Sequence, residues 1–177
     1  DPRGMKGQAL TYAVADRGAC HMRSNTIRTE LLGLPEPVDR FGYEGKAQMV
    51  SELQISYATF DCLVACAFGG FAIAPDDYAE AVSALTGWKF SVDELRRIAE
   101  RAWNLTRLFN IREGFTKKDD ALPQRLCTTS ATRGPSKGEV VEQAAFDEML
   151  SEYYQIVGWD ENGIPTEAKL KELGIES

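Results

Sequence analysis

One histidine, His21, and four cysteines, Cys20, Cys62, Cys66 and Cys127, are the only imidazole and thiol groups in this 177-residue chain. The cysteines are scattered, so they build neither a disulfide framework nor an iron–sulfur cluster held by four local thiolates. Free thiols or single metal ligands in a reducing, cytoplasmic setting are the expectation. Positive charge is also short: 20 Lys and Arg against 27 Asp and Glu leave a net charge of -7. Nucleic-acid binders draw affinity from concentrated Lys and Arg, and here the strongest basic pair, Lys117-Lys118, runs straight into Asp119-Asp120. No nucleic-acid partner is expected. No apolar run is long enough to span a bilayer and no membrane-surface helix stands out, so no membrane partner is expected either. The opening Asp1-Pro2-Arg3-Gly4 lacks an initiator methionine and a signal peptide, and the chain reads as the C-terminal portion of something larger.

What the chain does have is apolar content and helical period. With 44% hydrophobic residues it can close a core as one helical domain over 1–177. Leu95, Ile98, Ala99, Ala102, Leu105 and Phe109 recur at three- and four-residue steps and predict one core-facing stripe. Ser91 and Glu94 form an S-x-x-E start signal, and Gly114 a stop. A second helix is predicted over about 45–66, with Met49, Leu53, Ile55, Phe60, Leu63 and Val64 as its apolar positions, stopping near Gly69-Gly70 and delivering Cys66 at its end. Shorter helices are predicted at about 5–15, 25–33, 76–85, 143–157 and 166–173. Pro and Gly mark 34–42 and 116–138 as irregular. The fold class is all-α: an irregular multi-helix domain with long surface loops.

The chemistry concentrates in two places. Asp61 and Cys66 lie five residues apart in FDCLVACAFGG, and His21 stands forty-five positions before Cys66 in GACH. A carboxylate, a thiolate and an imidazole make half of a buried metal-cofactor site, with the remaining ligands elsewhere. Five helical residues advance about 140° beyond one turn, so Asp61 and Cys66 would address different groups. Cys62 and Cys66 are spaced i,i+4 and could share a helix face, although a pair of small buried thiols is the commoner use of that pattern. A lone histidine is ordinarily a satisfied structural residue.

Four segments in order carry a family resemblance: DPRGMKGQALTYAVADRGACHMRS, the Asp61 to Cys66 spacing, NLTRLFNIREGFTKKDDALPQRL, and SEYYQIVGWDENGIPTEAKLKELGI. Together they resemble the C-terminal part of the tungsten-dependent aldehyde:ferredoxin oxidoreductase family, over nearly the whole chain. The resemblance implies an N-terminal domain cradling a tungsten bis-pterin, a middle helical domain and a last helical domain, the one seen here. It implies a D-x-x-G-L-C motif whose aspartate hydrogen-bonds a pterin and whose cysteine is the fourth ligand of a [4Fe-4S] cluster. Those positions fall on Asp61 and Cys66, with Ala65 as a cofactor contact. Val64-Ala65 stands where the family has Gly-Leu, so the close backbone approach a glycine allows is in doubt at Val64. His21 takes the place of the histidine near the tungsten that donates a hydrogen bond or a proton, a role suited to an imidazole titrating near neutrality.

The resemblance implies oxidation of an aldehyde to its acid, with electrons passing to ferredoxin or another low-potential carrier. The tungsten subunit of a dearomatising aryl-coenzyme A reductase is the alternative within the same architecture. A helical interaction module that has lost its cofactor is the non-enzyme alternative. Elsewhere the expectations are structural. Tyr153-Tyr154 and Trp159 pack the last helices with their polar atoms reaching the surface, and Cys20 and Cys62 are buried. Arg17 makes a helix-end salt bridge or meets a pterin phosphate. Arg3 and Lys6 line a substrate entrance or form a charged boundary loop.

Overall fold

Helices begin where the sequence places a side-chain cap, at Ser91 and Thr166, and close on a glycine at Gly87, Gly158 and Gly174. In the computed structural model, which describes residues 1–176, the α-helices are α1 (Lys6–Val14), α2 (Ile27–Glu30), α3 (Lys46–Cys62), α4 (Pro75–Thr86), α5 (Val92–Arg112), α6 (Arg125–Thr128), α7 (Gln143–Val157) and α8 (Glu167–Leu173). Among the described residues there is no strand, only two isolated bridges, and the domain is all-α as expected. The Oγ of Ser91 accepts from the Glu94 N–H at 3.2 Å, while Glu94 accepts from the Ser91 N–H at 2.7 Å. The Ser91 N–H, and then the Ser91 hydroxyl donating at 2.8 Å, hold the Glu94 carboxyl below its usual range. Thr166 caps α8, which closes on Gly174 at φ 64°.

The core forms where α3 lies against α1, α5 and α7. Leu10, Val50, Phe146, Leu150, Tyr153 and Trp103 meet there, all nearly inaccessible, and each such large apolar side chain contributes about 1.5–3 kcal/mol by leaving water. The small residues Gly7, Ala9 and Ala13 let α1 sit close; a Cβ on Gly7 would stand 2.5 Å from Met49 Cε. Glu30, at the end of α2, reaches back to the start of α1 and accepts from the N–H groups of Gly7 (2.9 Å) and Gln8 (3.2 Å). It thereby satisfies two helix-end donors that would otherwise be orphaned. Lys46 Nζ lies 2.9 Å from the same carboxylate, off the line of a hydrogen bond, as a buried ion pair. Together these contacts fix the 16–26 loop between α1 and α2.

The interior departs from the sequence reading in four ways. On α5 the buried face is Leu95, Ala99, Trp103, Asn104 and Arg107, whereas Ile98, Leu105 and Phe109 are 42, 48 and 53% exposed. The apolar pattern therefore combined two faces, one packed inside and one left open. On α3 the buried positions are Lys46, Ala47, Val50, Ser51, Gln54, Tyr57 and Ala58, so the buried face includes polar side chains and leaves out the apolar positions Met49, Leu53, Ile55 and Phe60 that periodicity assigns to it. The hydroxyls of Tyr153 and Tyr154 do not reach the surface: Tyr153 donates to Gln54 at 2.6 Å and Tyr154 to Asp120 at 2.5 Å. Lys6 lines no entrance; it is 2% exposed and donates to the carbonyls of Arg3 and Val140 and to Glu139.

Asp120 organises the long connection between α5 and α7. Arg107 grips it with two parallel bonds of 2.9 and 2.6 Å and donates a third, at 2.8 Å, to the Gly163 carbonyl. This connection, expected to be irregular over 116–138, contains the short α6 and 3-10 turns over Lys117–Asp119 and Gly134–Ser136, and it is anchored in the core at Asp120, Leu126 and Val141.

Candidate functional site

Helix α3 carries Asp61 in its last turn and stops at Cys62. The N–H of Val64 donates to the carbonyl of Asp61 at 3.1 Å and that of Ala65 to the carbonyl of Phe60 at 2.8 Å. This is a Schellman closure, with Val64 at the position that needs left-handed backbone. Val64 adopts φ 54° and is 94% exposed. A β-branched residue is strained there, and the glycine of the family motif would not be.

Cys66 consequently lies four residues past the helix in extended backbone, φ -70° and ψ 123°, before a tight 3-10 turn over Ala67–Phe71. The helix predicted to run to Cys66 and on toward Gly69-Gly70 ends early because the closure at Val64 intervenes. Cys62 and Cys66 thus share no helix face, and the angular argument for Asp61 and Cys66 does not apply. Both thiols are exposed. Cys62, expected to be buried packing, is instead at the surface; partial burial of its sulfur and then the adjacent Asp61 carboxylate push its thiol up. That shift leaves it a poor thiolate.

Arg23, two residues beyond His21, ties the two chemical regions together. Its Nε donates to Asp16 at 2.8 Å and its Nη1 to Asp61 Oδ2. Asp16 is fixed in turn, because its carbonyl accepts from Asn110 Nδ2 on α5 at 2.6 Å. The His21 loop is therefore fastened to the end of α3 by a guanidinium between two carboxylates. Sequence reasoning passed over Arg23, although a cation two positions from the histidine in HMRS was a signal to follow. Arg17 forms no helix-end salt bridge; its Nη2 donates to Cys20 Sγ at 3.2 Å, and Cys20 is only half-buried.

His21, Asp61 and Cys66 are exposed, with Ala65 half-buried between the last two. Among the described residues no three His, Cys, Asp or Glu side chains are grouped so that they could hold a metal by themselves. Beside them lies a cavity of about 270 Å³. Asn25, just past Arg23, and Ala67, next to Cys66, are at its edge, and Phe60, Phe71, Tyr78 and Leu95 give it apolar walls.

The family model described as "Aldehyde ferredoxin oxidoreductase, domains 2 & 3" matches residues 1–175. The chain belongs to the aldehyde ferredoxin oxidoreductase family. Within that family it is 42% identical to the tungsten-containing aldehyde ferredoxin oxidoreductase of Pyrococcus horikoshii and 38% identical to that of Pyrococcus furiosus. Each alignment takes in 99% of this chain and 29% of the relative, so the chain spans under a third of the length of these family members. A more distant relative is the aliphatic sulfonate oxidoreductase, WOR-like subunit, of Pyrococcus furiosus, 29% identical over 94% of the chain and 24% of the relative. Among solved structures, the active site complex BamBC of benzoyl coenzyme A reductase with 1,5-dienoyl-CoA matches 82% of the chain and 21% of its own, at TM-score 0.63 and 24% identity. That likeness is one of fold.

Proposed function

We propose that this chain is the C-terminal helical part of a tungsten bis-pterin oxidoreductase that converts aldehydes to carboxylic acids. The observation that carries the reading is the exposure of Asp61 and Cys66 on either side of the α3 closure, with Arg23 holding the His21 loop to that same edge. The apolar stripe Ile98, Leu105 and Phe109 on α5, open in this chain, supports a larger protein in which N-terminal pterin-binding and middle helical domains cover it.

The donor set fits the cofactors. One oxygen of Asp61 is taken by Arg23, which leaves the other to accept charge-assisted hydrogen bonds from pterin N–H groups. Arg23 keeps that carboxylate aimed. Ala65 offers backbone beside the pterin, and Cys66 supplies the fourth thiolate of a [4Fe-4S] cluster whose other three lie elsewhere in the protein. Bound beside Asp61, a tungsten bis-pterin would supply two-electron oxidation of an aldehyde with water as the oxygen source, and a cluster on Cys66 would supply one-electron relay toward ferredoxin or a similar carrier. His21 donates a hydrogen bond to the aldehyde oxygen and takes or returns a proton as the carbonyl is attacked.

Metal and acid-labile sulfide analysis of the full-length protein, prepared without oxygen, tests this reading. Tungsten together with four iron atoms per chain is expected. A protein that folds and purifies with neither metal would instead be a cofactor-free helical module.

A further inference from the structure

The cavity beside Ala67 is lined by a guanidinium that no carboxylate among the described residues balances. Arg28 stands there with its guanidinium 5.5 Å over the Phe71 ring and Nη1 on the Gly70 carbonyl at 3.2 Å. The other arginine at the wall, Arg96, is neutralised by Glu52 at 2.5 Å. Among the described residues Arg28 has no carboxylate. The Tyr57 hydroxyl is close enough to feel that charge, which works against the rise that burial imposes on its phenol. A permanent cation at an apolar wall without a counter-charge is matched best by a carboxylate.

The remaining walls are mostly apolar and aromatic, with Phe60, Tyr78 and Leu95 among them, and the polar side chains of Asn25, Ser56 and Thr59 are engaged by nearby backbone. At about 270 Å³ the cavity lies just below the range of sites that enclose drug-sized ligands, roughly 300–1,000 Å³. It takes a single ring or a short branched chain, and a coenzyme A group does not fit inside it.

We infer that this cavity binds a monocarboxylate with a one-ring or branched apolar body, its carboxylate on Arg28 and its body against Phe60, Phe71 and Leu95. The inference rests on the proposed function for the origin of such a ligand. It is either the acid produced from an aromatic or branched aldehyde, or an aldehyde substrate bearing a second carboxylate at its far end.

Benzoate is the probe, titrated calorimetrically into the full-length protein and into its Arg28→Gln and Ile73→Trp variants. The first variant removes the cation, and the second fills the cavity from its rim. Thermal midpoints are recorded for both, so that a folding defect in one leaves the other to decide. Benzoate binding weakened about ten-fold or more in each folded variant, as expected for a lost charge-assisted contact, supports the assignment. No binding at millimolar benzoate, or equal binding with and without Arg28, overturns it. This readout needs no tungsten, so it separates from the proposed function: a protein that binds benzoate through Arg28 and lacks metal keeps the cavity and loses the redox role. Turnover of 4-carboxybenzaldehyde against benzaldehyde distinguishes the two sources. A preference for the former that Arg28→Gln abolishes marks the substrate, and altered product inhibition alone marks the acid product.

Discussion

The Ala65 N–H donates to the Phe60 carbonyl at 2.8 Å, and closing that loop holds Val64 between them at φ 54°. Because Val64 is 94% exposed, no packing within the chain repays the strain. Val64→Gly should stabilise the protein: relief of about 1–2 kcal/mol of left-handed strain outweighs about 0.4–1 kcal/mol of added unfolded-state entropy. The check is a denaturant midpoint, and a downward shift would show that Val64 is supported in a way this geometry does not reveal.

The three proposed roles separate by what is lost. Asp61→Asn should lower tungsten and pterin content, Cys66→Ser should lower iron and acid-labile sulfide, and His21→Ala should keep both while abolishing turnover. Elemental analysis alongside an aldehyde-oxidation assay reads all three. A fully loaded Asp61→Asn protein would remove Asp61 from the cofactor contact.

Arg23→Ala should cost little stability through Asp61, which is 55% exposed and belongs to the class of pairs that contribute about 0–1 kcal/mol; the loss should come from Asp16, only 8% exposed, which is left without its counter-charge. The Asp61 side bears on the cofactor. Tungsten content should fall as the Asp61 carboxylate loses its orientation, with Arg23→Lys retaining more than Arg23→Ala. Equal loading in all three proteins would leave Arg23 a surface ion pair only.

The helices were legible wherever a local signal fixes the backbone, as at the Ser91 and Glu94 pair or the Gly174 stop. The end of α3 was not, because the residue that closes it is a valine in a conformation that sequence rules assign to glycine. The Asp61 and Cys66 positions came from their spacing and the family resemblance, whereas their link to His21 came only from the fold: Arg23 is a common residue, and its two carboxylate partners lie 7 and 38 positions away. Periodicity on α5 found the apolar positions but not their sides, since Ile98, Leu105 and Phe109 are as apolar as the face that packs.

Breaking the buried pair under α5 should be costly. Arg107 and Asp120 have side chains only 6 and 0% exposed, so Asp120→Asn leaves a guanidinium without its counter-charge and should destabilise by about 3–5 kcal/mol. Thermal or denaturant unfolding measures it. A change below about 1 kcal/mol would show that water reaches Arg107.

Alkaline pH should unfold the domain. Burial, and for Tyr154 also its bond to Asp120, pushes both Tyr153 and Tyr154 well above the ordinary phenol value of 10.0. The unfolded chain then loses these protons first and binds fewer of them, so stability falls as pH rises. The contribution is complete below about pH 10 and is lost progressively above it. Tyrosinate absorbance should show these two phenols ionising only with loss of helical circular dichroism, and early ionisation of both would contradict their burial.

Three interior fastenings punctuate the α5–α7 connection: Asp120 at 2% exposure, Leu126 at 7% and Val141 at 0%. Between the last two, residues 128–130 and 132–135 lie open to solvent. Insertions and deletions accumulated over evolution therefore have one stretch here in which to settle without dislodging an anchor. Length variation among kindred proteins should gather in that stretch, and the distance from Asp120 to Leu126 should stay constant.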